Sequence, residues 1–452
     1  MGHLEPGEYL KEKPKRVCLE CTATLFSGYH TGVQRVVKNV IFRCNELGQF
    51  FGLPVIPVIF AFGKAWTFSE AEQNFLKIQK FFKIKNRAEK IILNLFFFLH
   101  SIPFFKKKGK PKNLNSTPQK IYGIILSLWR SIEVVALFFF IPFQPLFLSK
   151  GDLLLVIDAF WPYQLIDHFT QMRKDGVYII PLIYDIIPIL YPDFYEETMV
   201  KEFNDSFYRL ISISSGIIGV SKTSIKEVMD LLRERGMPLE NLTIDYFYPG
   251  SDFNKRKEDL QGKRTIRQWP SNLWEGEEVY LMVGTIEPRK RYGFVLDAFE
   301  KMWAQGFEAK LLIIGKVGWK TEEILKRFKK SPYRGKRLFV YQDINDDELL
   351  YCYKNSSALI LASCAEGFGL PMIEAMEVGL PIIASDIEVF REIGGDYPLY
   401  FSLNSMDSLI EAIQQVPKNK KIRKDWISWD RSVQTLLFKA LSIYERRAKG
   451  TN

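Results

Sequence analysis

The stretch EGFGLPMIEAM, Glu366 to Met376, sets two glutamates, Glu366 and Glu374, on either side of a glycine turn. It lies inside a longer run, ALILASCAEGFGLPMIEAMEVGLPIIAS, residues 358–385, that reads as strand, turn, helix and strand. Gly367 and Gly369 let the backbone approach a ligand and take positive φ. Pro371 suits the first turn of a helix, where its missing N–H costs nothing, and Glu374 is expected in that same turn. A helix amino end after a glycine turn attracts anions. A carboxylate beside such a site makes sense when the same ligand carries hydroxyls, since a carboxylate accepts hydrogen bonds from two adjacent ones. The stretch therefore suits a diphosphate with a sugar at each end, a nucleotide sugar. Glu374 would take the ribose diol and Glu366 the hydroxyls of the outer sugar. Two other readings stand beside this one. Glu374 can be a helix-dipole partner, worth about 0.5 kcal/mol, with Glu366 a solvated turn residue. The pair can also be the acid and base of a glycosidase, which the phosphate-ready turn argues against.

Outward from this stretch, apolar strand-like runs alternate with helical ones. VYLMVG (279–284), KLLIIG (310–315), RLFVY (337–341), ALILA (358–362) and PIIAS (381–385) are each followed by a helical stretch. The earlier part repeats the pattern with RVCLECTAT as a strand, LPVIPVIF, LLLVI (153–157), VYIIPLIYD (177–185) and GIIGV (216–220). Between the first two, Thr31 to Leu47 has apolar residues at 33, 36, 37, 40 and 41, the period of one helix. Near-continuous apolar strands separated by helices predict parallel sheets covered on both faces. The fold class is thus α/β, with two Rossmann-like domains facing across a cleft and the carboxyl ends of the strands lining it. The expected division is an N-terminal domain over 1–260 and a C-terminal nucleotide-sugar domain over 275–425. A polar stretch, Asn254 to Glu278, links them, and a final helix within 426–452 packs back on the first domain.

The chain has 452 residues, 47% hydrophobic and 25% charged, a globular composition long enough for two large domains. Its net charge of +10 favours anionic partners: nucleic acid, acidic membrane or phosphate-bearing small molecules. No nucleic-acid module is present to support the first. Cys18 and Cys21 form C-x-x-C, but on a strand they point to opposite faces, and no second pair exists. They read as buried thiols rather than a metal or redox pair. Histidines fall only at 3, 30, 100 and 168, too scattered for zinc. The amino-terminal MGHLEPGEYLKEKPKR has no apolar run of a secretory signal, and Pro6 stands where a myristoylation motif wants Ser or Thr. A cytoplasmic setting is expected.

Residues of about 64–150 interrupt the alternation and are expected to be a helical insertion. Lys and Arg at 77, 80, 83, 85, 87 and 90 interleave with Phe and Ile at 75, 78, 81, 82 and 84. A basic amphipathic helix leading into an apolar one fits a membrane interface through residues of about 75–149. A helical subdomain with a Phe-rich core is the plainer alternative. A spanning helix is disfavoured, because Arg130, Glu133, Pro142 and Pro145 break the runs short of roughly 20 apolar residues.

A second motif supports the glutamate pair. VGTIEPRKR, Val283 to Arg291, follows the first strand of the second domain. Adjacent cations at a strand's carboxyl end would neutralise a leaving diphosphate. The two motifs together resemble the signatures of retaining GT-B glycosyltransferases, glycosyltransferase family four. In that resemblance EGFGLPMIEAM is the E-x7-E signature and VGTIEPRKR the diphosphate loop, with the family's lysine falling on Lys290. Many members carry Arg directly after the loop glycine; here Thr285 stands there, and Arg289 is taken as the supporting arginine. SGYHTGVQRVVKNV resembles the TGxQR opening of a mannosyltransferase-like branch, and LIYDIIPILYPDFY its HDxIPxxxP segment, with Tyr184 in place of the histidine and Asp185 and Pro188 kept. GVSKTSIKEV (219–228) resembles the start of that branch's last N-domain helix. The resemblance covers about residues 16–60 and 150–420.

The resemblance implies a hexosyltransferase that moves a sugar from a nucleoside-diphosphate donor, with GDP-mannose the first choice, to a lipid-linked or oligosaccharide acceptor. It assigns Glu366, Lys290 and Arg289 to catalysis, and Gly284, Thr285, Gly367, Phe368, Gly369, Leu370 and Glu374 to the donor. Gly32, Arg35, Tyr184 and Asp185 go to the acceptor side or the donor sugar. Arg35 as a surface charge and Asp185 as a turn or cap residue are the plain alternatives. No D-x-D occurs in the chain, so no metal is expected on the diphosphate. A membrane contact at the inner face is expected through the insertion. Two other classes compete: a sugar-nucleotide epimerase, which would want a histidine in the cleft, and a non-catalytic membrane-surface protein, which leaves both motifs unexplained.

Overall fold

The structure is a computed structural model that describes residues 12–27, 32–78, 80–81, 141–162, 165–238, 242–253, 267–417 and 423–450. Most of the expected interfacial segment, residues 82–140, lies outside them. Among the described residues no helix is long and apolar enough to cross a membrane. The chain divides into two compact units, Met1–Ile179 and Ile180–Asn452. The sequence reading placed its boundary near 260–275 instead.

In the first unit β1 (Val17–Glu20) is central and fully buried. After α1 (Thr22–Ser27), α2 (Gly32–Phe42) and α3 (Cys44–Phe51) come β2 (Val55–Ala61), β3 (Lys64–Phe68), β4 (Phe143–Leu146), β5 (Leu153–Val156) and α4 (Leu165–Lys174). β1 lies between β2 and β5 and pairs parallel with both, with Val17 opposite Val55 on one side and Leu153 on the other. β3 and β4 extend the β2 edge antiparallel. Three expectations are corrected here. The insertion does not start as helix at residue 64. Phe62 and Gly63 both take positive φ, 51° and 71°, which is the two-residue hairpin turn that matches strand twist, so β3 folds straight back on β2. Thr31–Leu47 is not one helix. Asn39 Nδ2 donates to Arg35 O, Arg43 donates to both oxygens of Asn39, and Arg43 N turns to Val40 O, so the ladder tightens and breaks at Arg43. RVCLECTAT is strand only to Glu20. Beyond it the Glu20 carboxylate accepts from Thr22 N, and Asp158 accepts from Thr24 N and Oγ1, which caps α1.

Cys18 and Cys21 are free and buried, and burial pushes the Cys18 thiol up to about 12. Among the described residues no group of side chains is arranged to hold a metal ion. Glu20 and Asp158 are both buried at the carboxyl ends of neighbouring strands, and burial raises both acids.

The second unit carries two parallel sheets. β6 (Tyr178–Ile183) leads through α5 (Ile187–Leu190) and α6 (Glu197–Ile213) to β7 (Gly216–Gly219), then α7 (Lys222–Glu234) and β8 (Thr243–Tyr246). These three strands lie side by side in that order. The other sheet has six strands: β9 (Val279–Val283), β10 (Lys310–Ile314), β11 (Leu338–Tyr341), β12 (Ala358–Leu361), β13 (Ile382–Ser385) and β14 (Leu399–Phe401). Its order is β11-β10-β9-β12-β13-β14, all parallel, so the chain runs outward from β9 to β11 and then crosses to the other side of β9 with β12. Its helices are α8 (Tyr292–Ala304), α9 (Glu322–Lys330), α10 (Asp346–Asn355), α11 (Leu370–Val378), α12 (Glu388–Gly394) and α13 (Met406–Gln415). The strands are apolar throughout because both faces are covered, and the core holds Tyr280, Phe299, Trp303, Leu311 and Ile360.

The last helix, α14 (Trp429–Ala448), lies against β7 and β8, strands that the sequence reading gives to the N-terminal domain. Glycines make the close fit. A Cβ at Gly216 would stand 2.6 Å from Ile443 Cγ2, and one at Gly250 2.6 Å from Trp429 Cα. Arg447 Nε donates to Ser215 O at 2.8 Å, and Lys439 reaches Asp245.

Candidate active site

The strand β9 ends at Val283, and Gly284 follows with φ +143°, where a side chain would be strained. A Cβ there would also stand 3.4 Å from Lys290 Cε. The loop is pinned to its neighbour after β10: Ile286 N donates to Lys316 O, and Gly318 N donates to Ile286 O. A single 3-10 turn, Pro288–Lys290, then presents Arg289 and Lys290 side by side. Arg291 closes the turn with φ 53°, a left-handed conformation that costs a non-glycine residue about 1 kcal/mol.

The loop after β12 meets this turn. Cys364 N donates to Arg289 O at 2.9 Å, and Arg289 Nη1 donates to Ala365 O at 2.8 Å. Glu366 is only 9% exposed, and both its oxygens are engaged. Oε1 pairs with Lys290 Nζ and accepts from Ser363 Oγ at 2.7 Å, while Oε2 pairs with Arg289 Nη1 at 2.7 Å. Burial alone would raise this carboxyl, but Arg289 and Lys290 outweigh it and hold Glu366 down at about 2. Arg289 Nη2 pairs at 2.7 Å with a second buried carboxylate, Glu287. Burial disfavours the guanidinium charge, and Glu366, Glu287 and Asp185 overcome that and raise its pKa. The two motifs, 76 residues apart, thus form one charged cluster.

Tyr184 and Asp185 come to the same cluster from the end of β6. Gly367 makes room for them: a Cβ there would lie 2.1 Å from Tyr184 O and 3.4 Å from Asp185 Cβ. Ser221, the N-cap of α7, donates its hydroxyl to Gly367 O at 2.8 Å. Asp185 accepts from Ile187 N, and burial raises it against the pull of Arg289. Gly32 and Arg35 belong to the first unit, at the start of α2.

The expected place of Glu374 is corrected. α11 begins at Leu370, so Glu374 is its fifth residue and lies in the second turn. It is 2% exposed, and Oε2 accepts from Tyr353 OH at 2.8 Å. Gly369 is the N-cap, at φ +97°, and a Cβ there would stand 3.0 Å from the Phe390 ring. Phe368 packs among Tyr248 and Trp426 at centroid distances of 6.1 and 5.9 Å. Thr285 and Leu370 are half-buried.

Several groups at this site escaped the sequence reading. Ser363 and Glu287 flank the assigned residues, and only their neighbourhood in the motifs pointed to them. Ser221 was legible as a helix cap, from Ser-x-x-Ser before an apolar run, but not as a partner of Gly367. Glu227 on α7 is half-buried with Oε2 lacking a hydrogen-bond partner. Burial first, then the Asp185 charge, raises it to about 7.

Comparison with known proteins places this arrangement. Residues 263–432 match the family model Glycosyl transferases group 1. They belong to the group 1 glycosyl transferases. In Escherichia coli, serotype-specific mannosyltransferase WbdA is 31% identical over 321 residues, covering 68% of this chain and 39% of that protein. The O-antigen chain mannosyltransferase B of the same organism is 25% identical over 239 residues, covering 52% of this chain and 60% of the relative. The chain therefore spans well under half the length of WbdA. Among solved structures, sucrose-phosphate synthase from Thermosynechococcus elongatus superposes with a TM-score of 0.52 at 13% identity, covering 96% of both chains. Anabaena Alr3699/HepE, crystallised with UDP and glucose, gives 0.50 at 11% identity, covering 96% of this chain and 99% of that one. These likenesses establish the expected fold, an α/β chain with two parallel-sheet domains of the GT-B kind.

Proposed function

We propose that the chain is a retaining hexosyltransferase of surface polysaccharide synthesis, moving mannose from GDP-mannose to a lipid-linked or oligosaccharide acceptor. The observation that carries this reading is the joint of two loops, in which Glu366 is held by Lys290 and by Arg289 at 2.7 Å. A carboxylate held ionised at about 2 is a permanent acceptor for sugar hydroxyls. The cations beside it match the charge that grows on a departing diphosphate, and the amino end of α11 adds partial positive charge. In this reading the bond from the anomeric carbon to the phosphate oxygen breaks, and the acceptor oxygen bonds to the same face. The acceptor's proton passes to the leaving phosphate oxygen, so no general base is assigned and no metal is invoked. Glu374 takes the ribose once Tyr353 moves away from its carboxylate, and Asp185 and Tyr184 face the donor sugar. The mannosyltransferase names of the two relatives favour mannose.

The site is assigned to the cytoplasmic side, with the basic and Phe-rich segment of about 75–149 resting on the inner face of the membrane. Removing residues 82–140 leaves the Lys64–Phe68 and Phe143–Leu146 strands in the chain, and unchanged membrane-pellet association of that variant would end the membrane reading. The transfer reading is tested by calorimetric titration of GDP, UDP and ADP into the purified protein and into Lys290→Ala. Selective GDP binding that is lost in the variant is expected. A folded sample that binds none of the three is not a nucleotide-sugar transferase.

A further inference from the structure

The charged cluster is bordered by aromatic rings that the proposed transfer step does not use. Trp319 follows β10, and its ring stacks on Tyr195 with centroids 5.2 Å apart and planes at 29°. Tyr195 is buried and packs with Ile187 and Ala365, the residue just before Glu366. Tyr191 stacks on Phe194 at 5.8 Å and 14°, and the Arg291 guanidinium, one residue past Lys290, lies over the Phe194 ring at 6.0 Å. The two ring pairs therefore touch both catalytic loops.

Their position is fixed by backbone as well as by rings. Gly318 presses so close to the cation loop that a Cβ would stand 2.8 Å from Ile286 O and 2.9 Å from Thr285 Cγ2. Lys320, left-handed at φ 50°, donates its ammonium to Asp193 O at 2.9 Å and ties the Trp319 loop to the Tyr191–Tyr195 segment. Yet the outward faces stay open to solvent: Trp319 is 38% exposed and Tyr191 41%. Large rings held rigidly and left exposed beside a buried charged cluster form a contact surface, not a core.

We propose that Trp319, backed by Tyr195 and flanked by Tyr191, is the platform on which a hexose ring of the acceptor glycan stacks. This rests on the transferase reading and names the side from which the acceptor arrives. A hexose offers one face of C–H bonds to a ring and a rim of hydroxyls to polar neighbours. The Lys320 ammonium and the Asp193 carbonyl supply such neighbours here. The donor's charged diphosphate belongs with the buried Arg289 and Lys290, and a neutral glycan suits the exposed apolar rim.

The test uses the full chain, Trp319→Ala and Trp319→Phe, each titrated calorimetrically with mannotriose, maltotriose and galactotriose in saturating GDP. GDP affinity is measured separately. The expected result is that Trp319→Ala weakens the bound trisaccharide by about tenfold, that Trp319→Phe stays within about threefold, and that GDP affinity is unchanged in both. Unchanged trisaccharide affinity in Trp319→Ala overturns the platform, and so does a wild type that binds GDP but none of the three glycans. A loss confined to GDP would make the rings a nucleobase site and overturn it equally. If wild type binds no nucleotide, the transferase reading itself fails, and the two failures are thus told apart.

Discussion

Arg289 Nη1 stands 2.7 Å from Glu366 Oε2 and donates at 2.8 Å to the carbonyl of Ala365, so one guanidinium nitrogen grips both the side chain and the approach of the glutamate loop. Its other terminal nitrogen is committed to Glu287. Arg289 is therefore fixed, and Lys290, held by Glu366 and by no such carbonyl in that loop, is the cation that the proposed transfer needs to follow a leaving phosphate. Lys290→Ala should lower the transfer rate from GDP-mannose by about 10²- to 10³-fold, with a stability loss of only about 1–2 kcal/mol. Initial rates and urea unfolding on the same preparations check both. An unchanged rate would remove Lys290 from the leaving-group role.

Two glutamates should give stability slopes of opposite sign against pH. Glu366 is depressed in the folded state, from 4.5 to about 2. Its contribution is present above the unfolded value and is lost as pH falls from about 4.5 towards 2. Glu227 is raised from 4.5 to about 7, so the folded state holds its proton more tightly. That contribution is present below the unfolded value and is lost as pH rises from about 4.5 through 7. Urea unfolding of Glu366→Gln should be flatter than wild type in the acid window only, and Glu227→Gln flatter in the neutral window only. A Glu227→Gln slope that matches wild type between about pH 5 and 8 would show an ordinary carboxyl there.

Gly367 should tolerate no side chain. A Cβ would lie 2.1 Å from Tyr184 O, a backbone atom, so one of two chain segments has to move. Gly367→Ala should cost about 2–4 kcal/mol and abolish GDP-dependent transfer. Gly293 in α8 is the control, because its Cβ would meet nothing closer than Arg327 Nη1 at 3.7 Å. Gly293→Ala should stabilise by about 0.5–1 kcal/mol. Equal melting points for the two variants would contradict the crowding at Gly367.

Glu392 on α12 caps a helix from outside it. Its oxygens accept from Lys222 N at 2.7 Å, Thr223 N at 2.8 Å, Thr223 Oγ1 at 2.6 Å and Tyr248 OH at 2.9 Å. Glu392→Ala leaves the first turn of α7 without those acceptors and should destabilise by about 1–3 kcal/mol. Hydrogen exchange should quicken at Lys222 and Thr223 before it does elsewhere in α7. Protection at wild-type levels there would show that water replaces the carboxylate without loss.

Strands such as Leu153–Val156 and Lys310–Ile314 were legible because burial on both faces writes itself as an unbroken apolar run. Glu366, Arg289 and Lys290 stood out too, because a glycine turn and paired cations are local chemistry, whereas their partners Glu287 and Ser363 carried no such signal. What escaped was set by distant partners. Tyr353 claims an oxygen of Glu374 from 21 positions away, and nothing within EGFGLPMIEAM announces it. Glu392 caps α7 across about 170 positions. The turn at Phe62–Gly63 lacks the usual Asn or Asp before glycine, so β3 was read as the start of a helical segment. At Arg43 the guanidinium takes Asn39 O, the carbonyl that Arg43 N would use in an unbroken ladder, which apolar periodicity does not register.

The seating of α14 on β7 and β8 has a consequence for biosynthesis. Ser215 O and the Asp245 carboxylate each bond a residue of α14, Arg447 and Lys439, that leaves the ribosome some two hundred residues later. At about 5–20 residues per second that delay is on the order of 10–40 s. Through it, Gly216 and its neighbours present an apolar surface shaped for Ile443 and still uncovered. The face of β7 and β8 is thus finished by the end of the chain, long after its own strands are made.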